Sequence, residues 1–167
     1  MIRATALSDL SPAGADRLEL PYAERYRRRG RLTTVSGEDI LLDLPEATEL
    51  AHGVALVLED GRRVAVEAAA EPLAEVRAEV RAAGASLARL AWHVGNRHTP
   101  CQIEPDRLLI QRDHVLEAML AGLGATLRYI EAPFSPEGGA YGHGRTHGHS
   151  HGPADHDPNA HIPHRHD

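Results

Sequence analysis

The final stretch of this 167-residue chain contains almost nothing that could form a hydrophobic core. Residues 142–167 are mainly His, Gly, Pro and Asp, and Ile162 is their one large aliphatic residue. Ordering a chain costs roughly 1–2 kcal/mol per residue, and a segment this polar cannot bury enough apolar surface to offset that cost. We therefore expect a disordered tail over residues 135–167, which leaves enough chain for one ordinary domain or two small ones.

The same stretch carries eight of the twelve histidines: His143, His147, His149, His151, His156, His161, His164 and His166. Imidazole has an unperturbed pKa of about 6.5, so most of these rings are neutral at cytoplasmic pH, and neutral imidazole binds nickel, copper, zinc and cobalt. His147, His149 and His151 alternate, so an extended chain points all three the same way. The pattern predicts a metal-binding tail; the alternatives are a solvated tail or a purification tag, although a tag would be a continuous His run.

Composition excludes several classes of protein. The net charge of −6 argues against a general nucleic-acid binder. The single cysteine, Cys101, excludes an intramolecular disulfide or a CxxC metal site and indicates a reducing compartment. The N-terminus has no apolar signal region, and no window approaches the ~20 apolar residues of a membrane span. We expect a cytoplasmic protein without a membrane segment.

Residues 1–70 show short β-type alternation interrupted by turn signals. Residues 32–35 lead through Ser36-Gly37 into residues 40–44, which predicts a hairpin that Pro45 ends. A second hairpin is predicted around Asp60-Gly61. This part of the chain therefore reads as a small, mostly antiparallel β domain.

A basic run lies within this β domain and comprises Arg25, Arg27, Arg28, Arg29 and Arg31. The run is typical of a solvated strand face. It would also suit a docking surface for an acidic protein partner, or contact with nucleic acid.

Residues 71–134 predict a βαββαβ order, the ferredoxin-like arrangement, so the fold class is α+β. The first strand is ambiguous, because residues 73–82 alternate with a period of two but are largely helix formers. Ser86 and Asp113 are N-caps of two short helices. The apolar stripe of the second helix is predicted as Val115, Leu116, Met119, Leu120 and Leu123.

Three histidines of this folded part are candidate ligands. His98 is held on a turn between Gly95 and Pro100, and the two copies in a C2 dimer could share one ion. His93 lies off the apolar face of its helix and should be exposed. His114 starts the second helix, and Glu117 at i+3 could add an oxygen ligand. Taken alone, each of these histidines is more often structural or simply exposed than a ligand, and Cys101 reads as a small buried residue.

Several segments together resemble the UreE family of urease accessory proteins, the nickel metallochaperones of urease. They are residues 92–100 (WHVGNRHTP), Gln102-Ile103-Glu104, residues 111–117 (QRDHVLE), Gly122-Leu123-Gly124-Ala125 and the ending from residue 131 to residue 141. Weaker matches in the first 70 residues extend the resemblance over nearly the whole chain.

The resemblance implies an N-terminal β domain, residues 1–70, for partner or peptide contact and a ferredoxin-like metal-binding domain, residues 71–134, that forms a homodimer. It further implies that His98 of each subunit shares a nickel ion, that tail histidines complete the site, and that the ion passes to the urease apoprotein through the accessory GTPase. In some relatives a histidine stands two residues before His114. Here that residue is Arg112, which argues against a second ordered site.

Two other functions are compatible with these residues. A nickel, copper or zinc storage protein would need the same tail but no client. A metal-dependent hydrolase could use His93, His98 and His114, but the folded part lacks HExxH and a nucleophile elbow, so we expect no enzymatic activity.

Overall fold

The computed structural model describes residues 1–9, 14–79 and 86–138. The N-terminal half contains the strands β1 (Ile2–Ser8), β2 (Arg17–Leu20), β3 (Tyr26–Thr33), β4 (Asp39–Glu49), β5 (Ala55–Leu58) and β6 (Arg63–Ala68), with a 3-10 helix at Tyr22–Glu24. The C-terminal half contains β7 (Ala70–Ala78), α1 (Leu87–Gly95), β8 (Gln102–Ile103), β9 (Leu108–Gln111), α2 (His114–Gly122) and β10 (Ala125–Pro133).

The first six strands form one sheet in the order β2-β6-β5-β1-β4-β3. Strand β3 is antiparallel to β4, and β5 is antiparallel to both β1 and β6. The pairs β1/β4 and β2/β6 are parallel. The expected mostly antiparallel β domain is confirmed. Its two parallel pairings join strands far apart in the chain, which local alternation does not predict.

Both predicted hairpins are present, and each turns at a glycine in the left-handed region. Gly37 has φ 92° and Gly61 has φ 85°. In the second hairpin the Leu58 N–H donates to the Arg62 carbonyl at 2.9 Å. A residue with a Cβ would be strained at such a φ, which explains the placement of glycine in both turns.

The prediction that Pro45 ends a strand is wrong, because β4 continues through it. The β3–β4 register shifts here: Arg29 pairs with Asp43, but Arg27 pairs with Thr48. Proline has no N–H to donate to a ladder, and it is tolerated at such irregularities. Pro45 therefore lies in a bulged part of β4 rather than at its end.

Alternate residues of the first sheet point into a core that contains no buried aromatic side chain. Its largest members are Leu18, Leu20, Leu32, Ile40, Leu42, Leu44, Leu50, Leu56, Leu58, Val64 and Val66. This arrangement is what a period-two pattern produces when one face of a sheet is covered.

The second sheet has the order β10-β7-β9-β8, with every neighbouring pair antiparallel. Along the chain these are the fourth, first, third and second strands of this half, with α1 and α2 in the two crossovers. This is the ferredoxin-like fold, and the prediction is confirmed. Within the described residues, no helix is long and apolar enough to cross a membrane.

The segment whose pattern was ambiguous, residues 73–82, begins within strand β7 (Ala70–Ala78). The period of two in its sequence therefore outweighs the helix propensity of its residues. Ala74 and Val76 face the helices and pack against Leu90 and Val94 of α1 and Leu116 of α2. Burial of one face of the strand is the reason, since tertiary packing overrides intrinsic propensity.

Val115 is the one member of the predicted apolar stripe of α2 that is largely exposed, at 62%. Leu116 and Leu120 are buried, and Met119 and Leu123 pack partly against the same core. Because Val115 lies about 100° around the helix from Leu116, it points away from the sheet. Its inclusion in the buried face was wrong.

Arg25 links the two halves of the molecule. It is 1% exposed, its Nη2 donates to the carbonyl oxygen of Phe134, and its guanidinium lies 5.4 Å from the centroid of the Tyr22 ring. Burial lowers the pKa of Arg25, while the charges of Glu49 and Glu71 act in the opposite direction. Its assignment to a solvated or docking face was therefore wrong.

Glu71 and Phe134 complete this contact between the halves. One Glu71 oxygen accepts from the Tyr22 N–H and the other from Nε2 of Gln111, both at 2.9 Å. The Phe134 ring packs with Leu73 and meets the Tyr22 ring edge-on at 5.4 Å between centroids. The 3-10 helix is thereby fixed against the second sheet.

Replacing Arg25 by Ala should lower the free energy of unfolding by about 2–4 kcal/mol, because the Phe134 carbonyl loses its donor and Glu71 loses a nearby cation. Urea denaturation measures this loss. Arg31→Ala is the matched control from the same basic run, since Arg31 is exposed and paired with Asp39. Equal losses in the two variants would contradict the linking role of Arg25.

Candidate metal centre

His98 occupies a tight turn that follows α1. The Asn96 N–H donates to the Trp92 carbonyl and the His98 N–H to the Gly95 carbonyl, both at 2.9 Å. His98 has φ 55° and is the one non-glycine residue with positive φ in the described ranges. This conformation costs a residue with a Cβ about 1–2 kcal/mol, and such strain concentrates at functional sites. The turn holds an exposed imidazole at the end of the helix.

Asp113 is the residue before α2. Its Oδ1 accepts a 3.0 Å bond from the Leu116 N–H, which confirms the predicted N-cap. That bond is the main cause of the lowered pKa of Asp113, and the charge of Arg97 also contributes to it. Val94 of α1 and Leu116 of α2 pack in the same core, so the two helices cover the same face of the second sheet.

Two large apolar side chains are exposed on these helices. Trp92 of α1 is 65% exposed, and Val115 of α2 is 62% exposed. Exposed apolar groups on adjacent elements are typical of a surface that contacts another protein. His98 follows the C-terminal end of α1 and His114 is the first residue of α2, and both are exposed.

Within one chain, the candidate histidines of the folded part do not form a metal site. No group of three or more His, Cys, Asp or Glu side chains with suitable geometry occurs in residues 1–9, 14–79 and 86–138. His93 was expected to be exposed but is partly buried, with its ring edge-on to Trp92 at 5.0 Å. An ion on His98 would therefore need donors from the C-terminal segment or from a second copy.

Glu117 was considered above as an oxygen ligand beside His114, but both of its carboxylate oxygens already accept hydrogen bonds. Its Oε1 accepts from Arg112 Nε at 2.8 Å and from the Asp113 N–H at 3.1 Å, and its Oε2 accepts from the Tyr129 hydroxyl at 3.1 Å. Glu117 is buried, so it fixes the start of α2 instead of facing a ligand. Arg112 also stacks on the Tyr129 ring at 3.5 Å.

Cys101 is unsuited to act as a thiolate ligand. Burial, with a further contribution from the charge of Glu137, raises the pKa of the Cys101 thiol to about 11. The group is therefore protonated at neutral pH, and its side chain packs partly against the core of the second sheet. Cys101 was predicted to be a small buried residue, and it is partly buried.

The chain leaving β10 returns to the segment that follows His98. The Ser135 N–H donates to Gln102 Oε1 at 2.8 Å, and the Glu137 N–H donates to the Cys101 carbonyl at 2.9 Å. The tail predicted to begin at residue 135 does not include this contact, since Ser135 and Glu137 are bonded to the second domain. The extended backbone after Pro133 has no local signal for pairing with residues 101–102.

The other predicted ligands lie outside the described residues. They are His143, His147, His149, His151, His156, His161, His164 and His166. The disordered tail was predicted for residues 135–167, and its residues 139–167 likewise lie outside the described ranges.

Two family models together match almost the whole chain. The model described as "UreE urease accessory protein, N-terminal domain" matches residues 2–69, and that described as "UreE urease accessory protein, C-terminal domain" matches residues 71–167.

Similar proteins carry the same description. The chain is 59% identical to "Urease accessory protein UreE" of Ruegeria pomeroyi over 136 residues, which cover 81% of this chain and 87% of that protein. It is 55% identical to the Rhodobacter capsulatus protein of that name over 151 residues, 87% of this chain and 92% of the relative. The Chelativorans protein of that name is 48% identical over 157 residues, 90% of this chain and 98% of the relative. These names describe accessory proteins, which supports the expected absence of enzymatic activity.

The arrangement around Glu117 predicts a pH dependence of stability. Burial, the largest influence, would raise the Glu117 pKa, but hydrogen bonds from Arg112, Tyr129 and the Asp113 backbone together lower it below the ordinary 4.5. Ionised Glu117 therefore stabilises the fold above the unfolded-state pKa, and this contribution is lost as the pH falls through the lower folded-state value. Glu117→Gln should be less stable at neutral pH and lose less further stability between about pH 5 and pH 3.

Denaturation midpoints across this pH range measure the effect. Glu131→Gln, at an exposed position of β10, is the matched control and should follow the unmodified protein. An unchanged acid profile for Glu117→Gln would show that the Glu117 hydrogen bonds do not contribute to acid sensitivity.

Proposed function

The chain belongs to the UreE family of urease accessory proteins, and from that premise we propose that it is a homodimeric nickel chaperone. It collects nickel with its C-terminal histidines, holds one ion between two copies of His98, and releases it during assembly of the urease metal centre in the cytoplasm. The observation that carries this proposal is the exposed His98 imidazole, held in a left-handed turn that follows helix α1, which also carries the exposed Trp92.

A dimer supplies what one folded chain lacks. Nickel and zinc take four or more donors, whereas the described part of one chain offers no group of three. A twofold axis passing near His98 would bring two identical imidazoles to one ion. Trp92 and Val115, exposed on the two helices that cover the second sheet, supply apolar surface for such a contact.

The C-terminal histidines supply the remaining donors. The chain leaves the fold beside Cys101, three residues after His98. His143 comes five residues after Gly138, so their Cα atoms are at most about 18 Å apart. The later histidines lie further along the chain and have a longer covalent reach.

The ligand chemistry fits a carrier that must give up its ion. Imidazole nitrogen binds nickel, copper and zinc, whereas thiolates hold zinc and copper in more closed sites. Cys101 is excluded as a thiolate by its raised pKa of about 11. Copper and zinc would compete with nickel for such a site. We propose nickel because the relatives are named as urease accessory proteins and the family resemblance implies nickel.

Transfer to the urease apoprotein, directly or through the accessory GTPase, requires a docking surface on this protein. The basic run of β3 offers less free charge than its sequence indicated, because Arg29 pairs with Asp43 at 2.7 Å and Arg31 pairs with Asp39. The surface of the second domain that carries His98 and the exposed Trp92 is therefore the better candidate for docking to the protein that receives the ion.

A storage protein without a client is the second candidate, since eight histidines in the C-terminal segment exceed what one shared site needs. Mixing the nickel-loaded protein with urease apoprotein and accessory proteins separates the two functions. A chaperone raises urease activation above the level reached with the same total nickel in buffer, whereas a store lowers it.

Removing the chain after Gly142 should lower the number of nickel ions bound per dimer but leave one. His98→Ala should instead abolish that one ion, because the two shared imidazoles are lost. Equilibrium dialysis of both variants at neutral pH measures the stoichiometry.

His52→Ala provides the control, since His52 is an exposed histidine of the first domain that accepts a 3.2 Å bond from the Ala68 N–H. It should bind as many ions as the unmodified protein. If the truncation and His98→Ala reduced binding by the same number of ions, the proposed division between the two sets of ligands would be rejected.

Nickel binding should weaken steeply between about pH 7 and pH 5.5, because protons compete with the ion for imidazole nitrogen. Isothermal titration at several pH values in this range measures the affinity. A profile without pH dependence would point to carboxylate oxygen ligands and would contradict an imidazole site.

A further inference from the structure

The two domains are joined by a very short stretch of backbone. Strand β6 ends at Ala68 and β7 begins at Ala70, so Ala69 is the one residue between the two sheets. Within the described ranges, no strand of the first sheet pairs with a strand of the second. The orientation of one domain on the other therefore depends on Ala69 and on the side chains that meet across the interface.

Phe134 lies between the two domains and is held by both. It is fully buried, and its ring packs on Leu73 of β7 and Leu109 of β9, on the face of the second sheet opposite the helices. From the first domain, the Tyr22 ring meets the Phe134 ring edge-on, and Arg25 donates a hydrogen bond to the Phe134 carbonyl. The ring of Phe134 is therefore the main apolar contact that the two domains share.

Phe134 reaches this position because the chain crosses the second sheet after β10. Strand β10 lies at one edge of that sheet and β8 lies at the other. Beyond Phe134, the Ser135 N–H donates to Gln102 Oε1 at 2.8 Å, and the Glu137 N–H donates at 2.9 Å to the carbonyl of the residue before Gln102, both at the β8 edge. Residues 134–137 therefore form a strap across the face that the first domain covers.

The interface also contains a feature that opposes its closure. Arg25 is 1% exposed, and its Nε has no hydrogen-bond acceptor in the part of the chain that the structure describes. A buried donor without a partner costs free energy, and contact with bulk water would remove that cost. Separation of the domains would hydrate Arg25, so closure depends on the packing of Tyr22 against Phe134.

We propose that Ala69 is a hinge and that Phe134 is the latch that holds it closed. In the closed arrangement the first domain covers Leu73, Leu109 and Phe134, which are each at most 1% exposed. Opening uncovers this apolar surface and leaves α1 and α2 in place, because they pack on the other face of the sheet. This inference goes beyond the proposed function and does not depend on metal binding.

Amide hydrogen exchange of the full chain, followed by NMR, measures the opening. The Tyr22 N–H bonds Glu71 of the second domain, so it exchanges when the domains separate. Two amides inside the domains serve as references: the Val66 N–H, bonded within the first domain at 2.8 Å, and the Leu90 N–H, bonded at the start of α1 at 3.0 Å. Hinge opening speeds exchange at residue 22 alone, whereas global unfolding speeds exchange at all three amides.

Phe134→Leu keeps an apolar side chain on the second sheet but removes the edge-on pair with Tyr22. It should speed exchange at residue 22 about two- to tenfold relative to Val66 and Leu90, which is the change expected from the loss of one aromatic pair. Tyr22→Leu should give a similar increase at the same backbone amide. The two increases should not multiply in the double variant, because either substitution already removes the pair.

Tyr129→Leu is the matched control, since Tyr129 is an aromatic residue of β10 whose ring stacks on Arg112 of the second domain. It should leave exchange at residue 22 unchanged relative to Leu90. Equal acceleration of all three amides in Phe134→Leu would overturn the latch, and so would the absence of acceleration at residue 22.

Ala69→Gly separates hinge opening from fraying of the 3-10 helix alone. Glycine keeps the Ala69 N–H, which donates to the Leu20 carbonyl at 3.0 Å, but gives the linker more freedom in the open arrangement. This variant should speed exchange at residue 22 about two- to fivefold and leave Val66 and Leu90 unchanged. If Phe134→Leu speeds this exchange but Ala69→Gly does not, the 3-10 helix frays by itself and the hinge is rejected.

Discussion

Strand β7 buries both of its faces, and the rest of the second domain is arranged by that constraint. Ala74 and Val76 point to the two helices and form the core beneath them. On the opposite face, Leu73 packs against Phe134 of the exit from β10, and the buried Glu75 is neutralised by arginines of the sheet. One strand therefore supports the His98 turn through α1 and the exit from β10 through its other face.

Buried charges in this protein occur where segments without regular structure must be held in place. Arg25 fixes the exit of β10 against the first domain, Glu117 fixes the start of α2, and Glu75 supports the group of side chains around Gln102. Each burial costs desolvation free energy, which the surrounding hydrogen bonds offset only when the geometry is good. These three buried charges therefore act more by positioning the neighbouring segments than by adding to the net free energy of folding.

The proposed metal chemistry depends on which potential ligands are neither hydrogen-bonded nor protonated. The carboxylate of Glu117 is occupied and the Cys101 thiol remains protonated at neutral pH, so the ligands offered near the turn are imidazoles. In the proposed dimer, a pair of fixed imidazoles ensures that one ion is held at a defined place. Further imidazoles delivered from the chain end make loading and release fast, because they can exchange one at a time.

The sequence by itself determined the elements whose signals are local. Ser86 and Asp113 cap their helices, Gly37 and Gly61 lie in the predicted turns, and the period of two in residues 73–78 made a strand despite their helix propensity. The resemblance to the UreE family likewise rests on short segments of sequence, such as residues 92–100 and 111–117.

Only the tertiary structure decided which polar groups were free to act. Arg25 belongs to a basic run in sequence but is buried, Glu117 is spaced correctly for His114 but is bound elsewhere, and residues 135–137 return to Gln102. All three outcomes depend on contacts between residues far apart in the chain. Local patterns specify dihedral angles and faces, whereas the desolvation and pairing of a charge depend on what packs against it.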